Sequence, residues 1–380
     1  MKYSGILRIG FKLLVNDKAK FSALLIGITF AVFLMMQMTA MFAGILNRAY
    51  SNVTNIGARM WIMDPAVNTA SSAIPLPDYL LDAVRSMDGV RYAVPIFIGG
   101  AQVRLESGTY QGITVVGLDD TSLFGRPELE QGKIEDIYAD NSFFVVNDAE
   151  FDKLEHPKIG TTFELNDHRG VIVGIAKVAS NGLNGVPTLY TTYSRAIEYV
   201  PTTRFTISYV LLQAKNDAAI AGIKRQVAAL GYVALTNVEF NSRISDYYTY
   251  QTGIGTNILM MTVISFLVGL SISGQTFYSF ILENLEKFGA LKAIGAKGRE
   301  LVYMILFTAT FTAMTGFGLG IGLVTLMITI TRSRLPNYAA MITFWNLGLA
   351  FGMVVVIAAI SSWFGVRRVL KIEPFDIFRG

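Results

Sequence analysis

The chain of 380 residues contains no cysteine and only two histidines. Without cysteine there is no disulfide, no thiolate nucleophile and no thiolate metal ligand. A metal centre of ordinary type needs three or four converging ligands, and the histidines are few and set apart. His156 precedes Pro157 in a turn-like stretch, and His168 lies beside Asp167 and Arg169. Both read as surface residues, with a heme or metal role left open. No Ser-His-Asp, HExxH or GxSxG pattern occurs, which removes the familiar hydrolase constellations. The phosphate loop G-x-x-x-x-G-K-[ST] is absent as well. The nearest string, GAKGRE at 295–300, has neither its spacing nor its Lys-Ser/Thr pair. ATP hydrolysis by that route is excluded, so energy would have to come from a partner.

Charge is scarce too. Charged residues make up 16% of the chain, against about 25% in soluble domains. The shortage is concentrated in four runs without any charge, 21–46, 257–282, 301–330 and 335–366, of 26, 26, 30 and 32 residues. About 20 apolar residues cross a bilayer core of roughly 30 Å. Each run is long enough for one membrane helix and too short for two. Spans without charge also exclude a proton relay or ion-coupling site of the usual kind. Gln37 and Gln275 are the notable polar groups inside them, suited to hydrogen bonds between helices.

What is present then sets the topology. The first run follows a basic start (Lys2, Arg8, Lys12, Lys18, Lys20), but it far exceeds the roughly 7–15 apolar residues of a signal peptide. It reads as a retained span. Ahead of it, Ile6, Leu7, Ile9, Phe11, Leu13 and Leu14 alternate with the basic residues, which suits a helix lying on the membrane surface. Segments 1–20, 282–300 and 367–380 hold 13 Lys/Arg against six Asp/Glu, whereas 47–256 holds 17 against 22. By the positive-inside bias the three basic segments are cytoplasmic and both termini lie inside. Arg332 and Arg334 fall on the opposite side.

The expected architecture is a membrane α-helical protein with four transmembrane helices. A large extracytoplasmic α+β domain lies between the first and second. The expected divisions are a cytoplasmic amphipathic helix at 1–20, the first span at 21–46, the external domain with helical stalk ends at 47–256 and the second span at 257–282. A cytoplasmic helix follows at 283–299, then the third span at 301–330, a short external loop at 331–343, the fourth span at 344–366 and a tail at 367–380. In the external domain, alternating or β-branched runs predict strands at 92–97, 101–106, 110–117, 142–147, 161–165, 171–178, 206–214 and 232–239. Helices are predicted at 78–87 and 217–230.

Gly316, Gly318, Gly320 and Gly322 lie inside the third span. A nucleotide-binding glycine loop needs a strand before it and a helix after it. These glycines fit small-xxx-small helix packing instead, Gly316 with Gly320 and Gly318 with Gly322. The stretch 283–299 between two spans is polar, and its apolar residues Leu285, Phe288, Leu291 and Ile294 recur at helical spacing. A short amphipathic helix ending at Gly295 and a surface loop with snorkelling lysines both fit that pattern.

The string KFGALKAIGA over 287–296 resembles the cytoplasmic turn of FtsX/MacB-type ABC transporter permeases. Lys287 stands where an acidic residue is usual in that turn, and Glu286 comes one position early. Asp88-Gly89-Val90 with Ala93-Val94-Pro95 resembles the start of the family's external core. Val115-Val116-Gly117-Leu118-Asp119 and Val173-Gly174-Ile175 resemble its later strands. Arg367-Arg368, Pro374-Phe375-Asp376-Ile377-Phe378 and the stretch 337–341 are similar to the DevC-type exporter branch.

The resemblance implies a permease subunit in the bacterial inner (cytoplasmic) membrane that is not itself an enzyme. Its partners would be an ABC ATPase subunit, membrane lipid and a second copy of itself in a homodimer, with a periplasmic adaptor and outer-membrane channel in some members. ATP and Mg would sit on the ATPase, with no cofactor in this chain. The ATPase-coupling residues would be Glu283, Glu286, Lys287, Phe288, Gly289, Ala290, Leu291, Lys292, Ala293, Ile294, Gly295 and Ala296. The implied activity is mechanotransmission and export of a lipid-like or amphiphilic substrate. Two alternatives share the fold: an FtsX-like transmitter that activates a cell-wall hydrolase, and a lipoprotein-releasing or heme-exporting permease.

Overall fold

The structure, a computed structural model, describes residues 2–179, 182–183, 185–200 and 206–370. The tail motif at 374–378 lies outside the described residues. In chain order the helices are α1 (Lys2–Asn16), α2 (Lys18–Ala49), α3 (Ser51–Ile56), α4 (Tyr79–Arg85), α5 (Tyr193–Tyr199), α6 (Ala219–Ala229), α7 (Asn237–Asp246), α8 (Ile254–Glu283), α9 (Leu285–Ala293), α10 (Gly298–Arg334) and α11 (Phe344–Leu370). The strands are β1 (Met60–Met63), β2 (Val90–Arg104), β3 (Tyr110–Leu118), β4 (Glu128–Gly132), β5 (Ser142–Val146), β6 (Thr162–Leu165), β7 (His168–Lys177), β8 (Thr188–Thr192), β9 (Tyr209–Ala214) and β10 (Val233–Thr236). Two compact units result, Met1–Gly44 with Ile254–Gly380, and Ile45–Gly253.

In the membrane unit, α2, α8, α10 and α11 are each long and apolar enough to cross a membrane. They meet through small residues. A Cβ on Gly269 would lie 2.3 Å from Ala31 Cβ, and one on Gly27 would lie 2.7 Å from Ile272 Cγ2, so α2 and α8 touch nearly backbone to backbone. The coil after α10 is clamped on α2 in the same way. A Cβ on Gly44 would come within 2.5 Å of the Ala339 carbonyl, Met341 N donates to Ala40 O at 2.8 Å, and Gln37 donates to the Tyr338 hydroxyl.

The element ends differ from the sequence expectation here. The loop expected at 331–343 is helical as far as Arg334. The chain stays helical until Pro336 restricts the residue before it. The tail expected from 367 begins as the last turn of α11, with Arg367 and Arg368 at the helix end, where cations complement the dipole.

The external unit is one mixed sheet in the order β10-β1-β9-β2-β3-β8-β5-β7-β4, with β6 pairing β2 and β7. Pairs β3·β8 and β5·β7 are parallel. The strands expected at 92–97 and 101–106 are one long strand, β2, which passes through Gly99 and Gly100. It pairs β9 along its first half and β3 along its second. The strand expected at 232–239 stops at Thr236. There the Thr236 hydroxyl accepts from Glu239 N while the Glu239 carboxylate accepts from Thr236 N. This capping box starts α7.

Trp61 on β1 is fully buried. Its ring lies 5.3 Å from Tyr209 and 5.6 Å from Phe240, and its Nε1 donates to Asn237 Oδ1 at 2.8 Å. A large apolar body with its one polar atom satisfied is what a water-facing domain needs at its centre.

Candidate functional site: the turn between the second and third spans

The turn is anchored before it is exposed. Glu283 ends α8 and accepts from the Lys20 ammonium at the foot of α2 and from Ser279 Oγ at 3.3 Å. Lys20 Nζ also donates to Asp17 Oδ2 at 3.0 Å. That hydrogen bond holds the Asp17 carboxyl below the usual carboxylate range. Glu283 is therefore committed within its own chain and ties the feet of two spans together.

Asn284 is the pivot. It is buried, its Nδ2 donates to Phe280 O at 2.8 Å, and its Oδ1 accepts from Lys287 Nζ at 2.8 Å. The backbone leaves helical geometry at this residue and resumes it in α9. Sequence reasoning passed over Asn284, Asp17 and Lys20. The one local signal was an asparagine between two apolar helical runs.

α9 is nine residues long, shorter than the 283–299 expected. It has two faces. Phe288 is buried, and Leu285 and Leu291 pack with it on Leu14, Leu24, Phe280 and Leu301. Gly289 is buried beside them. Glu286, Lys287, Ala290 and Ala293 are exposed, and Ile294 is 85% exposed. Glu286, Ala290, Ala293 and Ile294 follow i, i+4, i+7, i+8 spacing, so they form one outward ridge. Lys292 is half-buried between the faces.

The end of α9 is closed at a glycine. Gly295 has φ +104°, a conformation that glycine adopts without steric cost. Gly295 N donates to Lys292 O at 3.1 Å and Ala296 N to Leu291 O at 3.0 Å. The paired bonds make a Schellman closure, and Leu291 and Ala296 both pack against the same buried cluster. Then Glu300 accepts from Lys297 N at 2.9 Å and starts α10. The departure from the family string has a structural counterpart: Lys287 bonds Asn284, an amide rather than a carboxylate.

The third-span glycines divide. A Cβ on Gly316 would lie 2.7 Å from Ile28 Cγ2 and one on Gly320 2.6 Å from Val32 Cβ, whereas Gly318 and Gly322 meet nothing within 4 Å. The structure thus places one pair against α2 and leaves the other facing outward. Both histidines lie in the external unit. His156 is exposed beside Asp152 at 3.0 Å, and His168 stacks on Tyr199 at 4.5 Å. Among the described residues, no three His, Asp or Glu side chains converge as metal ligands would.

Comparison with known proteins agrees with this layout. The MacB-like periplasmic core domain family matches residues 22–230, and the FtsX-like permease C-terminal family matches 259–374. An uncharacterized ABC transporter permease of Mycobacterium tuberculosis is 23% identical over 353 residues, 90% of this chain and 92% of its own length. A putative hemin transport system permease protein, HrtB of Staphylococcus haemolyticus, is 23% identical over 150 residues, 40% of this chain and 41% of its own. Among solved structures, the extracellular domain of the noncanonic ABC-type transporter YknZ from Gram-positive bacteria is 13% identical with a TM-score of 0.37, covering 47% of this chain and 99% of that one. The periplasmic region of MacB from Actinobacillus actinomycetemcomitans is 12% identical with a TM-score of 0.37, covering 50% and 93%. The matched core domain takes up more than half of the 380 residues, and the permease domain follows it in the order of the spans. The chain belongs to the FtsX/MacB-type ABC transporter permeases.

Proposed function

We propose that this permease takes its energy from a separate ABC ATPase that docks on the outward ridge of α9. One observation carries the reading: α9 has one face locked to the feet of the spans and the other bare. A force applied to Glu286, Ala290, Ala293 and Ile294 passes through Phe288 and Leu291 into α2, α8 and α10 without an intervening loop. Ile294 is the apolar knob, and the flanking alanines leave room for a partner's groove to close around it. Buried apolar anchors of this kind carry most of the binding energy in an interface.

In this reading the basic side of the membrane is cytoplasmic. The ATPase binds ATP and Mg. Two copies of the permease work as a homodimer, and the stroke is transmitted to the core domain. The outcome is export of a lipid-like or amphiphilic substrate, with an adaptor and outer-membrane channel where the envelope has them. The size of the external domain, residues 45–253, favours an exporter over a hydrolase-activating transmitter.

The test is co-purification of the chain with candidate ABC ATPases from the same organism. Ile294→Asp should weaken the complex about thirtyfold, the loss of one anchor, and leave the thermal unfolding of the permease unchanged. An intact complex with undiminished ATPase activity would remove α9 as the docking element.

A further inference from the structure

The N-terminal helix has a face that neither the fold nor the docking turn uses. Helix α1 packs on α10 through Gly10 and Leu14, both buried. A Cβ on Gly10 would lie 2.4 Å from Met304 Cγ and 3.4 Å from Thr308 Cγ2. The Phe11 ring meets Phe311 edge-on at 5.1 Å. Ile6 and Leu13 lie half-buried along the same seam. The helix expected to lie on the membrane surface is docked on α10.

Docking turns Arg8 and Lys12 outward. They are one helical turn apart, on the side of α1 opposite Gly10 and Leu14. Both are exposed, and Lys18 is exposed just beyond the helix. α1 contains no acidic residue. The next carboxylate along the sequence, Asp17, is taken by Lys20, as is Glu283. Among the described residues, Arg8 and Lys12 form no ion pair. They are flanked by apolar side chains that also point outward, Ile9 at 40% exposure and Phe11 at 37%.

The depth of this face follows from lengths. α10 has 37 residues, about 55 Å at 1.5 Å per residue, against a hydrocarbon core of roughly 30 Å. Shared between the ends, the excess places the first two turns of α10 at headgroup depth. Met304, which Gly10 meets, is in the second turn, and Thr308 and Phe311, which α1 also meets, lie one and two turns deeper, at the start of the acyl region. At that depth a basic pair between apolar flanks matches a phospholipid on both counts: phosphate for the cations, upper acyl chain for Ile9 and Phe11.

We infer that the outer face of α1 is a binding site for the phosphate headgroups of anionic phospholipids, with Arg8 and Lys12 as the recognising pair. Each cation should favour an anionic over a zwitterionic lipid about fivefold. The inference stands apart from ATPase docking, because it uses residues of α1 and none of the outward ridge of α9.

The experiment uses the purified full-length chain in neutral detergent, with native mass spectrometry counting retained phosphatidylglycerol and phosphatidylcholine from an equimolar supply. The wild type should retain the anionic lipid preferentially. R8Q/K12Q should lower the ratio by an order of magnitude or more, the product of two such factors. R8K/K12R should keep it, as should a charge-matched control in the external domain, K215Q/R225Q. The wild-type preference should also fall as salt rises, a measurement that needs no variant to fold. An unchanged ratio in R8Q/K12Q, an equal loss in K215Q/R225Q, or a preference indifferent to salt would each overturn the assignment. Displacement of the lipid by inorganic phosphate alone would also overturn it, by marking a free-phosphate site.

Discussion

In the external unit the largest fully buried side chain, Trp61, lies at the centre of an aromatic cluster with Tyr209 and Phe240. In the membrane unit the helices meet at residues with no side chain: Gly269 on Ala31, Gly316 on Ile28, Gly320 on Val32, Gly44 on Ala339. The difference follows from the two solvents. In water, burying a large apolar body is itself the driving force. In lipid the outward surface is as apolar as the inward one, so helix contact gains from close backbone approach and from hydrogen bonds such as Gln37 to Tyr338. The exposed residues follow the same division. Among the large exposed apolar side chains, those in α8 include Leu259, Met260 and Leu267, whereas half of those in the external unit are tyrosines such as Tyr79, Tyr110 and Tyr138, which keep a hydroxyl for water.

The comparison can be broken at either end. The largest effect should come from Trp61→Ala. It empties the centre of the external core and leaves Asn237 without its donor, at a cost of about 3–5 kcal/mol. Chemical denaturation of the purified chain measures this, and a loss below about 1 kcal/mol would mean the core is centred elsewhere.

Adding a single methyl sharpens the membrane side. Gly320→Ala should cost about 1–3 kcal/mol, because its Cβ must displace Val32. Gly318→Ala, with open space around it, should be neutral or stabilise by up to about 1 kcal/mol through helix propensity. Thermal unfolding of the two variants in the same detergent decides the matter, and equal effects would deny that only one glycine pair is packed within the chain.

The smallest effect concerns pH. Burial pushes the Asp148 carboxyl above its ordinary range, against the hydrogen bond it accepts from Glu150 N at 2.8 Å. A carboxyl raised by folding costs stability once it ionises. The cost is absent below the unfolded value and grows as pH rises through the folded one. Asp148→Asn should therefore raise the unfolding temperature at neutral pH, with the gain vanishing as pH falls into the carboxylate range. A gain independent of pH would contradict this.

Much of the architecture was legible in the sequence, for reasons that differ by region. The spans showed because charge is excluded from lipid, and that signal is absolute over 26 or more residues. In the external unit, β1 reads Met-Trp-Ile-Met and is buried on both faces, so it has no alternation to detect. β10 was read too long although Thr236 and Glu239 spelled a capping box. The turn between the second and third spans was legible as apolar residues at helical spacing ahead of Gly295, a pattern that a short helix and a surface loop both fit. Its two faces were not, since Phe288 and Ile294 are both apolar at helical spacing and only packing shows that one is buried and the other bare. The commitment of Glu283 to Lys20 joins residues 263 positions apart, beyond any local pattern. Gly318 and Gly320 differ in nothing the sequence displays.

The central claim is that a partner ATPase meets this chain at Ile294, and the absence of cysteine makes it directly measurable. Ile294→Cys introduces the only thiol, as does Lys215→Cys in the external domain as a control. Labelling with a maleimide is followed with and without the ATPase. The account predicts that the ATPase protects position 294 and leaves position 215 fully reactive. Equal labelling of position 294 in both conditions, with the ATPase bound, would contradict it.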